Sequence, residues 1–265
     1  MIFRNPILTR EIDHRMRDAR TYWIATVYIF ILGVVTLVTY LTAVRTPDAS
    51  IPVEGWVVGK MIFHVIAIAQ MALIILLVPS VSAEAITGER DRGTLAMLLV
   101  TPMPRRRIAE GKLLASVLYV LFLMSTSIPF AALSFGFGGT DLRLLGITYG
   151  CIMVTVFFLA SLGLAVSTLM RRTVPAMLLA YGLVAALIVG SGAAELALHA
   201  FSSYFDGIVF VYLNPFTPLV LNAMDMPSAE IADKYLYWWI TPLLLLFLSL
   251  VLTAVAGRRI RSMRE

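Results

Sequence analysis

The chain has 265 residues, of which 60% are hydrophobic and 14% charged, where a soluble globular domain carries about 25% charged residues. That balance excludes an ordinary soluble domain, and no Gly/Ser/Pro-rich or highly charged linker divides the chain, so it reads as one integral membrane domain over residues 1–265. The net charge of +5 does not indicate nucleic acid, because Arg and Lys sit in short clusters between apolar runs and form no continuous basic groove.

Residues 1–21 predict an amphipathic helix lying on a membrane surface. Leu8, Ile12, Met16, Ala19 and Trp23 recur every three or four residues as one apolar stripe, while Arg10, Glu11, Asp13, His14, Arg17 and Asp18 take the other face. Glu11–Arg15 and Asp13–Arg17 are favourably ordered pairs one turn apart, each worth about 0.2–0.5 kcal/mol. The stripe would dip into the headgroup boundary while the arginines meet anionic lipid; a solvated helix is the alternative. The stretch is not a secretory signal, since mostly polar residues precede a first apolar run longer than a signal core.

Six apolar segments, at about 22–44, 56–83, 108–136, 143–169, 174–199 and 236–257, reach the roughly 20 residues a helix needs to cross a bilayer. They predict an all-α polytopic core over 22–257 with six transmembrane helices, followed by a basic tail at 258–265. Arg and Lys divide unevenly between alternate loops. Seventeen fall in the N-terminal segment, the 84–112 loop, the Arg171-Arg172 pair and the tail, and four (Arg45, Lys60, Arg143, Lys234) on the other side. The positive-inside rule then places both termini and the 84–112 loop in the cytoplasm. Acidic residues divide eight and eight, so the bias belongs to Arg and Lys.

Polar groups inside spans are functional candidates by default. His64 and Gln70 lie in the second span; Glu195 and His199 lie one turn apart near the outer end of the fifth. Glu195 and His64 are therefore candidate pathway residues, with a self-satisfied pair near the interface as the structural reading of Glu195–His199. Thr173 and Pro175 suit the cap and first turn of the fifth helix. Gly182, Ala186, Gly190 and Ala194 then follow at four-residue spacing, and such a stripe lets two helices approach closely in lipid. It serves either a subunit interface or internal packing. In the long segment at about 200–235, Asn214 and Pro215 suit the start of a short helix that re-enters the outer leaflet or packs as a surface loop. The single cysteine, Cys151, lies within an apolar run and can make neither an internal disulfide nor a zinc site.

The loop ITGERDRGTLAMLLVTPMPRRRIAEGK, Ile86 to Lys112, sets nine charges around a short apolar knot. Leu95, Leu98 and Leu99 make one side of two helical turns, extended by Met97 and Val100. Gly93 bounds the knot ahead and Thr101-Pro102 behind, because proline cannot continue a helix. Such an element either lies flat on the membrane or docks into a groove on a partner.

ERDRGTLAMLLVTPMPRRRIAEGK resembles the first cytoplasmic loop of ABC-2 type permeases, the membrane subunits of ATP-binding-cassette exporters. NPILTREIDHRMR at the start, six spans, and LNPFTPL at 213–219 extend the resemblance over the chain. The resemblance implies that the amphipathic opening is an interfacial connecting helix and that the short helix between spans two and three is a coupling helix. That helix would dock on a separate ATPase subunit, with Glu89, Arg90, Arg92, Gly93, Thr94, Leu95, Leu98 and Leu99 on the matching motif. Ala96 departs from it, where Asp or Glu is expected after the Thr-Leu pair. The implied partners are ABC-type ATPase subunits, a second permease (identical or related), membrane lipid, and any accessory subunit.

No G-x-x-x-x-G-K-[ST] phosphate loop occurs, so ATP and Mg would be bound by the partner and no cofactor is expected on this chain. An enzyme is the rival from another class. Gly190-Ser191-Gly192 has no credible base, the chain has three histidines, and no span holds paired aspartates, so neither a catalytic nor a metal site is expected. The functional expectation is a cell inner membrane transport subunit that couples ATP hydrolysis on a partner to substrate export. The alternative is an ATPase-coupled subunit that transmits motion to an external partner without transporting anything.

Overall fold

The computed structural model describes residues 6–44, 55–95, 97, 104–201, 214–223 and 240–262. Among these, the apolar runs form helices: α1 (Pro6–Arg17), α2 (Ala19–Val44), α3 (Gly55–Asp91), α4 (Arg105–Thr126), α5 (Ile128–Gly136), α6 (Leu142–Leu169), α7 (Thr173–Phe201), α8 (Thr217–Ala223) and α9 (Ile240–Ser262). Six helical units are long and apolar enough to cross a membrane, with α4 and α5 counted together. The fold is all-α.

α6 occupies the centre. In its most apolar stretch 78% of residues are buried, against 17% for α7 and 22% for α9. Its second half is built from small residues, with Ala160, Ser161, Gly163, Ala165, Ser167 and Thr168 all buried, which allows α3 to press close. At Gly163 the approach is extreme: a methyl group there would sit 1.9 Å from Ser82 Oγ and 2.8 Å from Ser82 Cβ. One turn later the backbone N–H groups of Ile86 and Thr87 donate to Ser167 Oγ at 2.9 and 3.0 Å. Small residues that let helices approach closely, with hydrogen bonds between them, are how helices associate where water supplies no hydrophobic driving force.

The third apolar run is not one straight helix. It breaks at Ser127, whose N–H bonds to Met124 O at 3.1 Å, and resumes as α5 with Pro129 in its first turn. Proline has no N–H and its ring crowds the carbonyl four residues back, so it fits a new first turn and not a helix interior. Ser127 Oγ pairs with Tyr149 Oη of α6 at 3.0 Å, fixing the break against the core.

Near the other end of the chain, α8 starts later than the Asn-Pro pair suggests. Asn214 opens an Asx turn, accepting from Phe216 N–H at 3.0 Å, and the helix begins at Thr217 with Pro218 in its first turn. It packs against α6 and α3. The rest of 200–235, including Ser228, falls outside the described residues beyond Phe201.

Gly163→Ala should lower the thermal unfolding midpoint in nanodiscs, and Gly163→Leu should lower it further, by about 1–3 kcal/mol of overpacking. Gly146→Ala on the same helix meets nothing within 4 Å and serves as the control; helix propensity makes it neutral or slightly stabilising. Equal midpoints for all three would contradict the close α3–α6 approach.

Candidate functional site: the charged end of α3

α3 is 37 residues long, about 55 Å at 1.5 Å per residue, against a hydrocarbon core about 30 Å thick. Its final turns carry Glu84, Glu89, Arg90 and Asp91, with Ala85, Ile86, Thr87 and Gly88 between them buried.

The helix ends in a Schellman motif. Gly93 takes a left-handed φ of +71°. Its N–H bonds to Arg90 O at 3.1 Å, and Thr94 N–H bonds to Glu89 O at 2.9 Å. Those are the two bonds that satisfy orphan carbonyls at a glycine cap. Gly93 therefore stops α3 rather than starting the apolar knot.

Each charge in the motif then finds a partner within the chain. Lys112 of α4 is only 4% exposed, and its Nζ lies 2.6 Å from Glu11 Oε1 of α1 and 3.2 Å from Glu89 Oε1 of α3. The other oxygen of Glu89 accepts from the Thr94 hydroxyl. Arg92 reaches back to Glu84 at 3.4 Å. Arg90 donates through Nη1 to Met170 O at the end of α6, and Asp91 Oδ2 accepts from both the N–H (3.0 Å) and the hydroxyl (2.5 Å) of Thr173 at the start of α7.

Two corrections to the sequence reading follow. Thr173 is not the cap of α7 but its first-turn residue, and Asp91 of α3 caps the helix from outside. A carboxylate suits that place because a helix N-terminus carries exposed N–H groups and a positive dipole end. Glu11 does not belong to a solvent face either. It turns toward α4, with Leu8 buried nearby and the Arg15 guanidinium 5.7 Å from the Tyr119 ring centre. α1 is thus seated on α4 as well as being amphipathic. The apolar stripe also breaks at Asp18, which accepts from Arg20 N–H at 3.1 Å and caps α2. Ala19 and Trp23 belong to α2, and Trp23 is 72% exposed.

Of the apolar knot, Leu95 is half-buried against the protein's own core, whereas Met97 is 78% exposed. Ala96, Leu98 and Leu99 lie outside the described residues.

α7 presents two faces. Ala176, Ala180, Val184 and Ser191 are buried against the bundle, and the Tyr181 hydroxyl donates to Leu76 O of α3. Gly182, Ala186 and Gly190 are exposed on the other side, and Ala194 is half-exposed. A Cβ at Gly182 or Gly190 would meet nothing within 4 Å. Among the described residues, nothing packs against Gly182 or Gly190 of the small-residue stripe.

The other polar candidates are less constrained. His64 Nδ1 lies 2.8 Å from Lys60 O on its own helix, and its ring sits edge-on to Phe63. Glu195 and His199 lie one turn apart on α7, and their side chains fall outside the described residues. Gln70 is fully buried in α3, with neither amide atom hydrogen-bonded among the described residues. Cys151 is buried with a free thiol.

The family described as ABC-2 family transporter protein matches the chain over residues 6–260. The chain belongs to that family. It is a multi-pass membrane permease, and its kind carries no catalytic ATPase domain. No curated protein matches the chain. The permease's signature stretch therefore has two parts: ERDRGT, which is bonded inward, and the knot from Leu95 onward, where Met97 is open.

Partial burial alone would raise the Glu89 carboxyl, but the Thr94 hydroxyl, Lys112 and Arg92 outweigh it and hold it below its ordinary 4.5. A group depressed in the folded state stabilises above its unfolded pKa, and that contribution is lost as pH falls through the folded value. Wild-type permease should therefore lose thermal stability relative to Glu89→Gln as pH drops below about 4.5. Parallel midpoint-versus-pH curves for the two proteins would refute the cluster.

Proposed function

We propose that the chain is the membrane subunit of an ATP-driven exporter, with both termini and the 84–112 loop in the cytoplasm. Two copies, or this permease and a related one, would enclose the path, and two ATPase subunits would dock on the knot. The observation that carries this is the α3 terminus: a family-typical motif in which every charge from Glu89 to Arg92 is held inside the chain, leaving Met97 exposed just beyond it. An apolar group on a rigid mount suits a dock, because buried anchors supply affinity while surrounding charges set register. Leu95 helps to mount the dock from below, since it packs on the permease itself.

The open stripe of Gly182, Ala186, Gly190 and Ala194 suits the second permease. Small residues let helix backbones approach and gain dispersion contacts in lipid. The orientation rests on the 17-to-4 division of Arg and Lys. The whole of 1–265 would form one transport domain, with ATP and Mg bound only by the partner and the permease contributing no catalytic group.

Tagged chain gently solubilised from native membranes should co-purify with an ATPase, and Met97→Asp or Leu98→Asp should lose it, since a charge without a partner in an apolar dock costs about 2–7 kcal/mol or more. Full retention by both variants would refute the dock. Cysteines introduced at Ser228 and Arg106 report topology: the first should label from outside and the second only after permeabilisation. The reverse pattern would invert the orientation.

A further inference from the structure

The family motif is expected to face the ATPase, yet Asp91, which lies within it, turns away to a different helix. Its carboxylate holds both the N–H and the hydroxyl of Thr173. The adjacent Arg90 holds Met170 O, the carbonyl that ends α6. Successive residues of α3 thus grip the two sides of the 170–173 turn with opposite charges. Each charge matches its target: the cation meets a helix carboxyl end and the anion a helix amino end. Thr173 holds the Asp91 carboxyl below its usual 3.8 through both bonds.

The grip matters because of what α7 carries. Its inner face is bonded to α3 about two turns in through Tyr181, and Gly182, Ala186 and Gly190 are exposed on its outer face among the described residues. A displacement of the loop beyond Gly93 moves the end of α3. The buried inner face from Ala176 to Ser191 and the Tyr181 bond hold α7 against the bundle, and Asp91 adds an attachment at its first turn, beside the end of α3 that leads into the loop.

We propose that Asp91 is a positioning residue that makes α7 follow the coupling loop, so that motion received at the dock reaches the small-residue face. This rests on the functional reading above for the source of the motion, but the linkage itself is a property of the chain alone. Asp91 is exposed, and losing one exposed helix cap lowers stability only modestly. Its loss should therefore leave the protein folded.

The test uses full-length permease in nanodiscs with Cys151→Ala, spin-labelled at Trp23→Cys on α2 and Leu178→Cys on α7, both exposed positions. In the permease alone, Asp91→Ala should broaden the interlabel distance distribution with at most a small drop in thermal midpoint, and Asp91→Glu should restore its width. A distribution as narrow as wild type in Asp91→Ala would overturn the proposal. In the complex with its co-purified ATPase, wild type should change distance between the ADP and the ATP-vanadate states. Asp91→Ala should keep the ATPase and its hydrolysis while losing that change; a retained change would also overturn the proposal. If wild type recruits no ATPase, the functional reading fails on its own, and the distribution in the permease alone still decides the role of Asp91.

Discussion

A long helix can carry force only if it does not bend or slide, and here that condition rests on the contact between α3 and α6. Pro79 interrupts the hydrogen-bond ladder of α3 near the middle of its buried half. Within the next three turns α3 is clamped to α6: Gly163 admits Ser82 into the surface of α6, and Ser167 accepts from two successive amides of α3. The weakest part of the helix is thus the part most tightly held. The glycine cap at Gly93 inherits its position from that contact.

The charges at the end of α3 answer a second constraint. Lys112 is nearly inaccessible, and a buried ammonium persists only when paired and hydrogen-bonded. Two carboxylates from different helices, Glu11 and Glu89, meet that need, and Glu89 also holds Thr94 just past the cap. One cation therefore joins α1, α3 and α4. Ion pairs of this kind are poor sources of net stability, because desolvation offsets attraction, but they discriminate strongly between arrangements that satisfy the charge and those that do not. At the base of a loop that has to hold one direction, discrimination is the useful property.

The six spans were legible because length and apolarity are local properties, and each run supplied enough of both on its own. The family was legible from ERDRGT and its setting. What could not be read was which way each charge faces. Periodicity put Glu11 on a polar face without showing that α4 would lie there with Lys112, a contact across 101 positions. Asp91 looked like one more loop charge, since nothing local announces that Thr173 will be its partner. The break at Ser127 had a local signal, Pro129 two residues on, which an unbroken apolar run concealed. Asp18 was similarly readable as a cap, being an Asp just before a helical run, but the apolar stripe on either side of it suggested continuity.

In lipid, exposed apolar surface carries no penalty. Trp23, Phe30, Leu178 and Phe247 stand out from the bundle, and acyl chains cover such groups as well as protein would. The stripe on α7 is different in kind. Glycine and alanine offer lipid little contact, and glycine lowers the intrinsic stability of a helix interior. Such residues repay their presence only where another backbone comes close. α7 already places Ala176 and Ala180 on its inner face, where the bundle fills the space, and repeats the small-residue pattern on the outer face, where none of the described residues does. α7 is thus built small on two sides and tied to the charged end of α3 at its first turn.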